Sequence, residues 1–188
     1  MNRQLDEDVA RGVIEPVPVS EAKEWCSRMV VVAKKSGQPR RTIDYQHLNA
    51  ACRRETHQTP TPFDMVSSIP RHVYKTTADA HWGFHQVELE ESSRKLTTFI
   101  TPWGRYRFKR SPMGFVSSGD EFSWRLDNAL DGIENCTKVV DDLLVRCITY
   151  EEHLERVKEL SQERKGSDGL QTTSQIVMSH RGSRNGQD

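Results

Sequence analysis

Two adjacent carboxylates, Asp141 and Asp142, interrupt an otherwise apolar run between Lys138 and Val145. Burying one carboxylate without a partner is costly, and burying two side by side costs more. The run therefore reads as two strands flanking a tight hairpin with the acids at its tip. Alternation within a strand would send the two side chains to opposite faces, whereas a turn lets both reach one ion. Oxygen-rich donors suit Mg²⁺, which takes further ligands from elsewhere in the chain or from substrate phosphates. Asp79 adds a third acid; it follows the β-patterned segment Val73 to Thr77 and stands between the small residues Ala78 and Ala80. Three carboxylates on two strand ends meet the needs of a two-metal phosphoryl-transfer site. By itself, however, the Asp141-Asp142 pair fits a solvated turn equally well, because Asp is a common turn residue.

The rest of the chain mixes both periodicities. Leu5 to Ile14 reads as a short charged helix ended by Gly12 and Pro16. Met29 to Ala33 is β-branched, and Lys34-Lys35-Ser36-Gly37 turns it back into a strand near Thr42 to Tyr45. Pro60 and Pro62 precede a short helix, Phe63 to Ile69. Gln86 to Leu89 and Leu96 to Thr101 alternate as strands do, and Pro102-Trp103-Gly104 turns into a strand from Tyr106 to Phe108. Ser118 is placed to cap a helix reaching Asp131, with Phe122, Leu126, Ala129 and Leu130 as its buried stripe. Thr149 and Glu152 form a capping box for a last helix, with Leu154, Val157 and Leu160 on one face. Hairpins mixed with helices predict an α+β fold.

Composition bounds the rest. In 188 residues the apolar share is 35%, and the 27 basic and 27 acidic side chains cancel. A wholly basic surface is excluded, but a local basic groove is not. No run of about 18 apolar residues occurs, so no membrane span is expected. The polar, acidic start argues against a signal peptide. Cys26, Cys52, Cys136 and Cys147 form no CxxC pair and read as reduced thiols of an intracellular protein. From Ser161 to Asp188 the clearly apolar side chains are Leu170, Ile176, Val177 and Met178. That tail is expected to be disordered. Between Arg94 and Arg110 six basic residues run without an intervening acid: Arg94, Lys95, Arg105, Arg107, Lys109 and Arg110. They can track a phosphate backbone while Tyr106 and Phe108 pack inward. A solvated strand face is the plainer alternative. Trp82 and Trp103 read as packing residues, and His81, His85 and His153 lack metal-ligand spacing.

Several blocks, in order over roughly residues 5–160, resemble the reverse transcriptase of long-terminal-repeat retrotransposons of the Ty3/gypsy and retroviral type. Val30 to Gly37 with Arg40 and Thr42-Ile43-Asp44-Tyr45-Gln46-His47-Leu48-Asn49 is similar to the block "vvKKxGxxRxxxDYRxLN". Thr77 to Gln86 is similar to "xxDLxxGYHQ", Lys95 to Phe99 with Gly104 to Phe108 to "KTAF…GxYxF", and Ser111 to Phe115 to "xPFGL". Val139-Val140-Asp141-Asp142 sits where "YxDD" belongs, and His153-Leu154 fits "EEHLxxL".

The resemblance implies a right-hand polymerase with fingers and a partial palm: an antiparallel palm sheet with helices, and no thumb. The fingers would take residues 1–74 and 91–114, the palm 75–90 and 115–160, and the divergent tail 161–188. Asp79, Asp141 and Asp142 would bind two ions, Mg²⁺ or Mn²⁺. Lys35 and Arg40 would meet the triphosphate of a dNTP, a point charge and a planar fork that both suit phosphate oxygens. Phe84 would stand under the sugar and clash with a ribose 2′-hydroxyl. Gln86 and the Pro112-Met113-Gly114 turn would lie near nucleotide and template. Partners would be an RNA or DNA template with primer and other parts of a pol polyprotein; the setting would be the cytoplasm, a virus-like particle or the nucleus. Phe84 as plain core, Lys35 as an ordinary hairpin lysine and Arg41 in place of Arg40 are the competing readings.

The sequence also departs from the pattern. Val139 replaces the aromatic of "YxDD", Gln46 replaces an Arg, and Ser117-Ser118-Gly119-Asp120 replaces "xNAPA". Hydrophobic periodicity stops after Leu160, which suggests a shifted frame or a stop near residues 161–170. Two alternatives to an active polymerase follow: a catalytically dead fragment that still binds nucleic acid, and a carboxylate-metal nuclease.

Overall fold

In the computed structural model, the described residues are 2–22, 24–33, 37, 39–54, 70, 73–80, 82–139, 142–161 and 174–175. The expected helix Phe63 to Ile69 and the Lys34–Ser36 turn lie outside them. The chain forms two compact units, each from two separate stretches. One comprises Met1–Thr56 and Phe84–Phe122, the other His57–Gly83 and Ser123–Asp188.

The first unit starts with α1 (Asn2–Ala10). This helix ends earlier than its charged pattern suggests, because Gly12 takes φ +68° and Val13 N–H turns back to Asp8 O. Ile14, expected in the helix, instead opens β1 (Ile14–Val17). Its Pro16 is tolerated there because β1 is an edge strand. β2 (Ser27–Ala33) and β3 (Pro39–Asp44) pair antiparallel from Arg28↔Asp44 to Ala33↔Pro39, so the basic hairpin read from the sequence is present. α2 (Gln46–Ala51) follows. β5 (Phe99–Thr101) and β6 (Gly104–Phe108) form a second hairpin, and the five strands order as β1-β6-β5-β2-β3, parallel only between β2 and β5. Leu5, Ile14, Ile43, Tyr45, Phe99 and Phe108 lie at the heart of this unit's core.

Gln86 to Leu89 is only partly the strand that its alternation suggests. Gln86 closes a short helix, α3 (Gly83–Gln86). Glu88 makes a single bridge to Arg110, flanked by Leu89 N–H to Lys109 O and Ser111 N–H to Val87 O. α4 (Glu91–Arg94) runs into a 3₁₀ turn at Lys95–Thr97, so the expected strand starts only at Phe99.

The second unit holds an all-antiparallel sheet. β4 (Tyr74–Ala80), β7 (Cys136–Val139), β8 (Asp142–Cys147) and β9 (Ser174–Gln175) order as β7-β8-β4-β9. Leu143, Leu144 and Val145 are buried in succession, as expected for an interior strand covered on both faces. α6 (Tyr150–Ser161) packs on β8 and β4; it buries Val157 and Leu160, and a 2.7 Å hydrogen bond joins His153 Nε2 to Thr76 Oγ1. Within the tail expected to be disordered, Ser174–Gln175 pair with Ala80 and Asp79. α5 (Val116–Leu130) belongs to both stretches, its first turns to one unit and the remainder to the other.

Candidate functional site

The acids come from the second unit. Asp79 lies near the end of β4 and Asp142 opens β8; the two are register partners in the antiparallel pair. Such partners have Cα atoms about 4.5–5.5 Å apart. Two acid positions more than sixty residues apart in the chain are thus brought to adjacent strands. Asp142 is exposed. Val139 on β7 is its other register partner, so the hairpin expected around the acids exists, with Asp142 as a strand residue and not a tip residue. Asp141 lies outside the described residues. Among those described, no three His, Cys, Asp or Glu side chains gather as metal ligands. Two acid positions opposed across neighbouring strands, Asp142 of them exposed, suit a hard divalent cation, which prefers oxygen donors and keeps several waters.

The first unit holds the other predicted positions. Arg40 is exposed on β3, opposite Val32. Its neighbour Arg41 points the other way and pairs with Asp8 of α1. The two arginines therefore have different duties, and Arg40 is the one available to an anion. Lys35 lies outside the described residues. Phe84 is half-buried and meets the buried Phe122 edge-on at 5.5 Å between ring centroids. Gln86 is half-buried at the end of α3, where Arg110 Nη1 donates to the carbonyls of His85 (3.1 Å) and Gln86 (3.3 Å). Met113 is exposed at the crest of a turn in which Gly114 has φ +88°. Trp82 and Trp103 are not core residues: they are 38% and 47% exposed.

The basic stretch is less free than its sequence implies. Arg107 donates to Glu15 (2.5 Å) and Glu21 (2.9 Å), which strengthens its hold on the proton. Arg94 pairs with Glu88 at 3.1 Å. Arg105 donates to the carbonyls of Pro18 (2.8 Å) and Val19 (2.6 Å). Glu15 and Glu21, distant in sequence, thus neutralise Arg107, while Arg94 is met by nearby Glu88 and Arg105 by carbonyls. Tyr106 and Phe108 do pack inward, with Phe99 at 6.0 Å and 5.4 Å from their rings. His85 stacks on Phe108, and burial pulls its pKa down from 6.5, only partly opposed by the Ser111 carbonyl at 3.0 Å from Nδ1.

Two supporting residues escaped the sequence reading. Lys138, only 5% exposed on β7 beside the acid hairpin, donates to Asp127 Oδ2 (2.6 Å) and Ser123 O (3.0 Å) of α5. A lysine within an apolar strand pattern, eleven residues after an acid on a helix, was the available signal. Asn49 ties α2 to the start of α5: Nδ2 donates to Gly114 O, and Oδ1 accepts from Val116 N–H, both at 2.9 Å. Its place at the end of the Asp44–Asn49 block was the only hint.

Comparison with known proteins places these features in context. The chain is 30% identical over 154 residues to a putative enzymatic polyprotein of cassava vein mosaic virus, and covers 24% of it. It is 31% identical over 150 residues to the retrovirus-related Pol polyprotein from transposon 412 of Drosophila melanogaster, and covers 12% of it. The match takes in 79% of this chain in the first case and 76% in the second. The chain therefore spans a quarter or less of these relatives. Among solved structures, the prototype foamy virus protease-reverse transcriptase is similar with a TM-score of 0.77 at 25% identity, covering 86% of this chain and 21% of that one. The foamy viral protein in complex with double-stranded DNA gives the same TM-score at 23% identity, covering 85% and 27%. The profile of the reverse transcriptase (RNA-dependent DNA polymerase) family matches residues 32–174, which include the acid-bearing strands and β3 with Arg40, so the chain belongs to the reverse transcriptase family.

Proposed function

We propose that the chain forms fingers and palm of an RNA-directed DNA polymerase that adds dNTPs to a primer 3′-hydroxyl on an RNA or DNA template. The observation that carries this reading is the β4–β8 register, which sets Asp79 opposite Asp142 in a member of this family. Residues 75–90 and 115–160 would form palm, and residues 1–74 and 91–114 fingers. Asp79, Asp141 and Asp142 would hold two Mg²⁺ or Mn²⁺ ions. Bound there, the ions would lower the pKa of the attacking hydroxyl and steady the leaving oxygen.

The chain's own groups position and neutralise. Arg40 offers an unshared guanidinium to the triphosphate, and Lys35 adds a second charge from the same hairpin. Phe84, braced by Phe122, stands as a rigid floor under the sugar and rejects a 2′-hydroxyl. Gln86 and Met113 border the nucleotide and template. Catalysis rests on orientation and charge stabilisation, without a covalent intermediate. Other parts of a pol polyprotein are its natural partners, in the cytoplasm, the nucleus or a virus-like particle. Among the described residues no helix is long and apolar enough to cross a membrane.

Primer extension on a primed RNA template with Mg²⁺ or Mn²⁺ tests the reading. Extension is expected with the wild-type chain and lost in Asp79→Asn, Asp141→Asn and Asp142→Asn. Salt-sensitive binding without extension would leave a binding-only chain, and strand cleavage without dNTPs would make it a nuclease.

A further inference from the structure

The Pro112–Phe115 turn is held from several sides. Ser118 Oγ donates to Pro112 O at 2.7 Å and accepts from Ser111 Oγ at 2.7 Å. Asn49 donates to Gly114 O and accepts from Val116 N–H. Ser118 N–H closes onto Phe115 O at 3.1 Å. Pro112 is fully buried, while Met113 between these anchors is exposed. A Cβ on Gly114 would lie 3.7 Å from Ile43 O, so the turn rests on the backbone of β3, the strand that carries Arg40.

Asn49 is itself rigidly carried. Its helix is pinned by Leu48 and Tyr45, both 2% exposed, and the Tyr45 hydroxyl donates to Thr97 O at 3.0 Å. Among short side chains, a primary amide can donate and accept from one planar group. Aspartate keeps the acceptor but loses the donor, and alanine loses both.

We infer that Asn49 is a positioning residue that fixes the turn presenting Met113, and thereby sets affinity for the incoming nucleotide. The inference deepens the polymerase reading and rests on it for the identity of the ligand. Asn49 does not touch the reacting atoms; it acts through Gly114 and Val116.

The test uses the full chain labelled with ¹³C-methyl methionine, the Met113 signal being assigned by its loss in Met113→Leu. In Asn49→Ala, the Met113 methyl is expected to shift and broaden, and exchange of the Val116 amide to rise at least tenfold. Asn49→Asp should restore protection at Val116 but not the Met113 signal, and it keeps the test decisive should the alanine variant fold poorly. Titration with dGTP and Mg²⁺, followed at the Met113 methyl, should give at least fivefold weaker binding in Asn49→Ala. In primer extension, KM for dGTP should rise about tenfold with kcat within about threefold, a split that simple loss of fold would not produce. Unchanged Met113 and Val116 signals in a folded Asn49→Ala chain would overturn the positioning role. A wild-type Met113 methyl indifferent to dGTP would overturn the nucleotide reading instead.

Discussion

Lys138 and Asp127 make an ion pair with unequal partners. The lysine side chain is 4% exposed and the aspartate 42%. Removing the lysine leaves a carboxylate that water already reaches, whereas removing the aspartate strands a buried cation. Asp127→Ala is therefore expected to cost about 3 kcal/mol and Lys138→Met about 1 kcal/mol or less, read from urea unfolding. Equal costs would show that the pair is solvated in both partners. His85 gives a second prediction at this scale. Burial lowers its pKa in the folded chain, with Asp8, Arg41 and Arg110 as the charged groups acting on it. Above the ordinary value of 6.5 both folded and unfolded chains hold it neutral; below it the unfolded chain takes the proton first. Stability should therefore fall as pH drops from about 6.5, and the fall should be shallower in His85→Asn, as followed by Tm against pH. The surroundings of His85 were not legible in sequence, because Phe108 and Ser111 reach it only through the fold, whereas the Lys138–Asp127 pair left one local signal.

At the scale of elements, strands read more truly than helix ends. The basic hairpin, the Thr101–Gly104 turn and the acid hairpin each announce themselves through local chemistry, a β-branched run, a Pro-Trp-Gly turn and paired acids, and each is present. Helix starts depend on partners from elsewhere. Ser118 looks like an N-cap, yet α5 begins at Val116, whose N–H is taken by Asn49 from another helix. Ser118 is then free to hold the preceding turn. Ser118→Ala would orphan Pro112 O and the Ser111 hydroxyl, both buried, and is expected to cost about 1–3 kcal/mol in chemical denaturation. A cost near zero would make these bonds dispensable. The capping box at α6 is half realised: Glu152 N–H donates to Thr149 Oγ1 at 3.3 Å, but the Glu152 carboxylate accepts from Asn135. Pattern cannot foresee such competition.

For the whole molecule, balanced charge hides a partition. Asp79 and Asp142 are register partners across β4 and β8, while several arginines of the Arg94–Arg110 stretch are already engaged by glutamates or carbonyls. Duplex binding should then depend on exposed Arg40 and Lys95 more than on Arg107. Each phosphate contact contributes about 0.9 to the slope of log K against log salt. Lys95→Ala should flatten that slope by about this much and Arg107→Ala should not, as measured by fluorescence anisotropy; the reverse result would return the strand face to the phosphate. Asp79 and Asp142 stood out in the sequence because few other patterns place carboxylates inside strands, and the register of β4 with β8 sets their positions opposite each other. The neutralisation of Arg107 was not legible there, because its counter-charges come from Glu15 and Glu21, far away in the chain.

Arg40 and Arg41 put the same cation on both faces of β3. If that strand slipped by one residue so that Arg40 reached Asp8, Arg41 would take the place of Thr42 and face outward, about 6.6 Å along the strand from where Arg40 stood. Charge alone therefore cannot tell the right alignment from the wrong one. Ile43 can, since its neighbours are Thr42 and Asp44 and a slip would drive one of them into the core. One methyl-bearing side chain thus keeps the hairpin's alignment, while the doublet makes the outward cation robust to errors in it.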